Sequence, residues 1–188
     1  MSVWTEFCRV LLVGMGNREK ITRKLIRHTG ARTIGVLSKK KGVDITVRFT
    51  SGWNLDNMLI FSEGMMLRDY SFGDKKRSDE EEEIIDPWNV DFQANNRYLK
   101  SLETGLKRIE GIVGGVHLAR DLGNEPANIL YPMEFANRAM KWSKNKENVK
   151  VEIYDWEKLQ ELGMGGLVNV GKGSDRKPCM VLFTLNPD

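Results

Sequence analysis

Few residues in this chain have the types and spacing that catalysis demands. Gly14 and Gly16 follow the apolar run Phe7-Cys-Arg-Val-Leu-Leu-Val13 and match the first two glycines of a dinucleotide fingerprint, G-x-G-x-x-G. Position 19 is glutamate, so the third glycine is missing, and a strand-to-helix turn needs glycine for backbone reasons alone. His28 and His117 fall in separate expected helices without H-E-x-x-H spacing, and there is no Cys-x-x-Cys pair, so a zinc site has no local support. His117 adjoins an apolar helical stripe and reads as a packing histidine with its polar atoms satisfied. Cys8 and Cys179 stand far apart in apolar segments and read as buried free thiols without a basic partner in sequence. No G-x-S-x-G is present. The run Asp79-Glu-Glu-Glu-Glu83 could attract cations, but successive glutamates do not converge on one ion, and a solvated face is the expectation.

The elements that would position any chemistry are clearer. Leu99, Leu102, Leu106, Ile109, Val113, Val116 and Ala119 recur at spacings of three and four, which places them on one face of a long helix over about Asn95 to Leu122. Asn124, Pro126, Asn128 and Pro132 are poor helix-interior residues and good turn residues, so the backbone turns after Gly123. A new helix then starts, with Pro132 at its first position and a body over Met133 to Ser143. This turn reads as a joint between two domains.

Upstream, Phe7 to Val13 predicts a buried strand, and about Arg18 to His28 a helix. Thr33 to Leu37 and Asp44 to Phe49 have strand character, separated by a turn at Lys39-Lys-Lys-Gly42. Asn54 to Tyr70 carries Leu55, Met58, Leu59, Phe61, Met65, Met66 and Tyr70 at mainly helical spacing, a pattern that marks core. Ser71 to Pro87 is charged and reads as a solvated loop. Downstream, Val149 to Tyr154 alternates as a strand, Asp155 can cap a short helix through Leu162, and Gly163 can end it in the left-handed conformation. Cys179 to Leu185 is the last expected strand. Strands alternating with helices give an α/β class.

Composition excludes little else. The 188 residues are 40% hydrophobic and 29% charged, ordinary for a globular chain, and no apolar run approaches the ~20 residues that span a bilayer. The N-terminus shows no secretion signal, which makes a cytoplasmic location the default. Net charge is +3, and the basic cluster Lys75-Lys-Arg77 runs into the acidic stretch after it, so charge alone does not call for nucleic acid.

Four segments carry a family resemblance. Ala119-Arg-Asp-Leu-Gly-Asn-Glu-Pro-Ala-Asn-Ile-Leu-Tyr-Pro132 resembles "ARDLVNTPPNVLTP", which opens the catalytic domain of the leucyl (cytosol) aminopeptidases. Leu11 to Gly16 is similar to that family's "LLVGLG", Glu63 to Phe72 to "EGLLLRSYRF", and Leu162 to Ser174 to "LGMGALLAVGQGS". The order is the family's own. Tyr131 departs from it, standing where the family has a threonine that would cap the next helix, a loss of ~1 kcal/mol.

The resemblance implies a partial, macro-like N-terminal α/β domain over 1–94, a connecting helix over 95–122, and the beginning of a catalytic α/β domain over 123–188. It implies hydrolysis of N-terminal peptide bonds by two divalent metals, manganese or zinc, in a cytoplasmic hexamer. The family's ligands lie in a "VGKGxTFDSGG" motif and a later "NTDAEGR" motif, neither of which occurs here. Val170-Gly-Lys-Gly173 spells the first four letters, but Ser174-Asp-Arg-Lys-Pro178 follows, and the preceding Leu162-Gly-Met-Gly165 aligns it with the earlier "VGQGS" turn, which makes Lys172 a surface lysine. The chain is therefore expected to begin partway into the first domain, to end before the metal-binding half, to hold no catalytic or metal residue, to bind no metal and to be inactive alone. Its marked residues are architectural: Asn124, Pro126, Asn128, Pro132, Gly163 and Gly165. Open sheet edges at both ends would favour self-association. The alternative is a non-catalytic nucleic-acid-binding or assembly module.

Overall fold

A computed structural model describes residues 10–37, 44–50, 52–72 and 89–186. The chain divides into two compact units, Met1–Asp121 and Leu122–Asp188.

The first unit is built on a pair of crossed helices, α1 (Arg23–Leu37) and α2 (Leu55–Arg68). Two glycines let their backbones touch. A Cβ on Gly30 would sit 2.1 Å from the Phe61 carbonyl oxygen, and one on Gly64 would sit 2.1 Å from that of Arg27. Ile26, Ile34, Ile60, Phe61 and Met65 close over this crossing, and burial of such side chains contributes ~1.5–3 kcal/mol each. Arg27 and Glu63 pair across its edge at 2.8 Å. Asn54 caps α2 by accepting from the Asn57 amide at 2.8 Å, and Thr22 receives the Leu25 amide at 3.2 Å at the start of α1.

Against the crossed helices lie two parallel strands, β1 (Ile45–Arg48) and β2 (Val90–Gln93), in register from Ile45 opposite Val90 to Arg48 opposite Gln93. Ile45, Val47, Val90 and Phe92 face the core, and Phe49 gathers the rings of Trp53, Phe61 and Phe92 around itself. A 3-10 turn over Asn96–Tyr98, capped by Asn95, leads into α3 (Leu99–Asn124). Leu102 and Val113 are the buried members of its stripe.

Two expectations fail in this unit. Thr33 to Leu37 is the last part of α1 and not a strand. Thr33 and Ile34 lie on the same helical face as Ile26 and Gly30, and the Thr33 hydroxyl donates to the Thr29 carbonyl at 2.9 Å, so burial on α2 overrides β-branched propensity. Likewise, no strand forms over residues 10–13, the described part of Phe7 to Val13, and Leu12 is 89% exposed. An apolar run becomes a strand when a neighbour takes its backbone groups, and none of the described strands does so. Strand β2 was not anticipated from sequence. The Lys39 to Gly42 turn, Cys8 and the acidic run at 79–83 lie outside the described residues.

The second unit holds α4 (Pro132–Ser143), β3 (Val149–Tyr154), α5 (Trp156–Glu161), α6 (Gly165–Gly171) and β4 (Met180–Leu185). β3 and β4 pair antiparallel from Val149 opposite Leu185 to Tyr154 opposite Met180. Ala136, Ala139, Val151 and Leu159 are its buried apolar residues. Asp155 caps α5 through the Lys158 amide at 3.0 Å, and Gly163 ends that region at φ +66°, as expected from sequence. A helix not expected from sequence, α6, precedes Lys172, and Lys172 and Gly173 then form the turn expected of them. The α/β class holds.

Candidate functional site

The turn between α3 and α4 is the best-defined polar arrangement in the second unit. Asn124 closes α3, and the Pro126 carbonyl accepts from the amides of Ile129 and Leu130 at 2.9 and 3.0 Å, which folds residues 126–130 into a compact turn. Pro132 then occupies the first position of α4, where its missing N–H costs nothing. Tyr131 stands at the N-cap without a side-chain cap bond, as its departure from threonine implies.

Three side chains pin this turn from outside it. Arg138 of α4 donates from one nitrogen to both Glu125 oxygens, at 2.9 and 2.8 Å, and from Nε to Glu134 at 2.7 Å. The Glu125 side chain is 7% exposed, and these carboxylates, Glu125 foremost, raise the Arg138 pKa above its ordinary value. Arg176 donates to the Ala127 carbonyl at 2.7 Å and lays its guanidinium over the Tyr131 ring at 4.2 Å. Cys179 donates its thiol to the Pro132 carbonyl at 3.2 Å, and burial pushes its pKa up. A thiol held neutral in this way is a poor nucleophile.

Of the residues marked from sequence, Asn124, Pro126, Asn128 and Pro132 thus come together in one turn, with Asn128 exposed. Gly163 and Gly165 form a separate turn closed by a 2.7 Å backbone bond. Sequence reading missed Glu125, Arg138 and Arg176. The Glu134–Arg138 pair at i,i+4 was a legible signal, whereas the link to Glu125 becomes visible in three dimensions.

Other groups do not assemble into a reacting centre. Among the described residues, no three His, Cys, Asp or Glu side chains converge as metal ligands, so these residues do not fit a divalent metal. Lys172 is exposed past the end of α6. His117 corrects its expectation: its Nε2 is buried with no hydrogen-bond partner among the described residues, although the ring packs 5.2 Å from Tyr70. Burial raises the pKa of nearby Asp69 against the opposing pull of His117. Tyr70 donates to Asp121 at 2.9 Å, and Arg120 donates to the Leu67 carbonyl at 2.8 Å, so polar bonds hold α3 to the end of α2.

Comparison with known proteins decides what this arrangement belongs to. Residues 4–79 match the N-terminal domain of the cytosol aminopeptidase family, and residues 117–188 match the catalytic domain of the same family. The chain belongs to the cytosol aminopeptidase family. Within that family, the "Probable cytosol aminopeptidase" of Phytoplasma mali is 32% identical over 188 residues, and that of Rhizobium etli 35% identical over 182. These alignments cover 97% and 93% of this chain but 36% and 35% of the relatives, so the chain spans about a third of their length. Among solved structures, the bottromycin maturation enzyme BotP in complex with Mn is 28% identical with a TM-score of 0.70, covering 93% of this chain and 36% of that one. A tomato leucine aminopeptidase mutant superposes with a TM-score of 0.75 at 21% identity, which shows the shared fold; it covers 91% of this chain and 35% of that one.

Proposed function

We propose that this chain is the N-terminal domain and opening catalytic segment of an aminopeptidase that removes N-terminal amino acids from peptides. Residues 1–94 form the N-terminal α/β domain in this reading, 95–122 the connecting helix, and 123–188 the opening of the catalytic domain. The observation that carries it is the collinear match of both domain models, with the pinned turn at 124–132 lying inside the catalytic match. Two divalent metals, manganese or zinc, would serve the complete site, and the neighbour solved in complex with Mn supports metal dependence. A hexamer in the cytoplasm is the assembly the family reading favours. Among the described residues, no helix is long and apolar enough to cross a membrane.

The 188 residues by themselves do not catalyse the reaction in this reading, because neither of the family's two metal-ligand motifs occurs among them. Purified chain supplied with manganese or zinc and leucine p-nitroanilide is expected to release no p-nitroaniline above a metal-only blank. Saturable, metal-dependent turnover would contradict this. The nucleic-acid alternative is not favoured by the family match, and its basic clusters at 39–41 and 75–77 lie outside the described residues.

A further inference from the structure

We propose that the open edge of β4 is a pairing surface for a second copy of this chain, which adds its own β4 antiparallel across a two-fold axis. In an antiparallel pair, residues that bond to the neighbouring strand alternate with residues whose N–H and C=O point away from it. The Asn186 amide donates to the Asn148 carbonyl at 2.8 Å, one step beyond the pairing of Val149 with Leu185. The even-numbered residues of β4 therefore bond to β3, and Val181, Phe183 and Leu185 turn their amide and carbonyl groups to the open side. Among the described residues no third strand takes them.

This edge complements itself. Strands paired across a two-fold axis keep each face of the sheet continuous when every residue stands opposite one from the same face. With the axis at Phe183, that residue meets Phe183 of the second copy and Val181 meets the second copy's Leu185, so each outward group of one edge finds its partner on the other. The side chains agree with the backbone. Val181, Phe183 and Leu185 share the face of the sheet that α4 covers, where the Phe183 ring lies 6.3 Å from that of Trp142. α4 packs more on β3 than on β4, and Trp142, Phe183 and Leu185 stay exposed beside the edge. Pairing sets them against the same residues of the second copy, and their burial supplies the driving force. The edge also lacks the devices that keep sheets apart. Met180–Leu185 contains no charge and no proline, whereas β3 carries Lys150 and Glu152, 3.3 Å apart, beside its own open edge. A self-complementary register without charge favours a second copy over an unrelated strand.

Sedimentation velocity of the full 188-residue chain over about 5–500 µM tests this. A monomer–dimer equilibrium with a dissociation constant of about 10–100 µM is expected, as suits a small interface. Phe183→Lys, which sets two ammonium groups opposite each other on the axis, should weaken the dimer about tenfold or more. Cross-linking reads the register independently. In a Cys8→Ser, Cys179→Ser background, Phe183→Cys should give a covalent dimer under mild oxidation, because residues at a hydrogen-bonded antiparallel pair lie ~5.5 Å apart at Cα, within disulfide reach. Thr184→Cys, which would face Leu182 of the second copy, should not. A chain that stays monomeric at the highest concentration, a dimer that Phe183→Lys leaves as tight, or equal cross-linking at positions 183 and 184 would overturn the proposal. The family assignment rests on the two domain matches and stands under any of these results.

Discussion

The two units close their structures in different ways. In the first, Ile26, Ile34, Ile60, Phe61 and Met65 seal a helix crossing made possible by Gly30 and Gly64, and backbone packs on backbone. In the second, the buried apolar residues are Ala136, Ala139, Val151 and Leu159, two of them alanines, and the turn that opens the unit is held by Arg138, Arg176 and Cys179. Phe183 and Leu185 of β4 remain 48% and 67% exposed. Apolar burial stabilises the first unit, whereas directional polar bonds shape the second. A family whose chemistry belongs to the catalytic domain places precise geometry there, and directional bonds set angles that apolar packing leaves loose.

Substitutions can break or sharpen this contrast. The largest effect is expected at the crossing. Gly30→Ala gains up to ~1 kcal/mol of helix propensity but drives a Cβ to 2.1 Å from a backbone carbonyl that has no rotamer to escape with. The clash wins, and a net loss of about 2 kcal/mol is expected in chemical denaturation. Gly111→Ala in α3, where a Cβ meets nothing within 4 Å, should instead stabilise by roughly 0.5–1 kcal/mol.

Next comes the open surface of the second unit. Leu185→Lys removes apolar area that another copy could bury, and a fall of about tenfold in self-association is expected by light scattering at low micromolar concentration. Unchanged association would mean that this surface is not the sticky one. The smallest effect is at Tyr131. Threonine there would add an N-cap of ~1 kcal/mol and remove the ring under Arg176, a contact of ~0.5–1 kcal/mol, so Tyr131→Thr alone should be nearly neutral. In an Arg176→Ala background the same substitution should stabilise by about 1 kcal/mol, which a double-mutant cycle resolves.

Much of this was legible in sequence because it is local. The long helix, the turn that follows it, the Asp155 cap, the left-handed Gly163 and strands β1, β3 and β4 follow from spacing and residue type over a few positions. What was hidden depends on partners distant in the chain. Thr33 to Leu37 reads as a strand until α2 offers Phe61 to Gly30, and Phe7 to Val13 reads as a strand only if another strand takes its backbone groups. The pins at the turn span 13 and 49 residues, from Glu125 to Arg138 and from Ala127 to Arg176. No local pattern could have shown them. The unpaired Nε2 of His117 was hidden for the same reason, since its surroundings come from Asp69 and Tyr70 near the end of α2.

The contrast between a core-sealed unit and a pinned one is tested most directly by amide hydrogen exchange along the full chain, in the wild type and in Arg138→Ala. The slowest-exchanging amides are expected at the crossing, around Phe61 to Met65 in α2. The Ile129 and Leu130 amides, bonded to the Pro126 carbonyl, should exchange faster than those and faster still once Arg138 is gone. Exchange at Ile129 and Leu130 as slow as at the crossing, and unmoved by Arg138→Ala, would contradict the account.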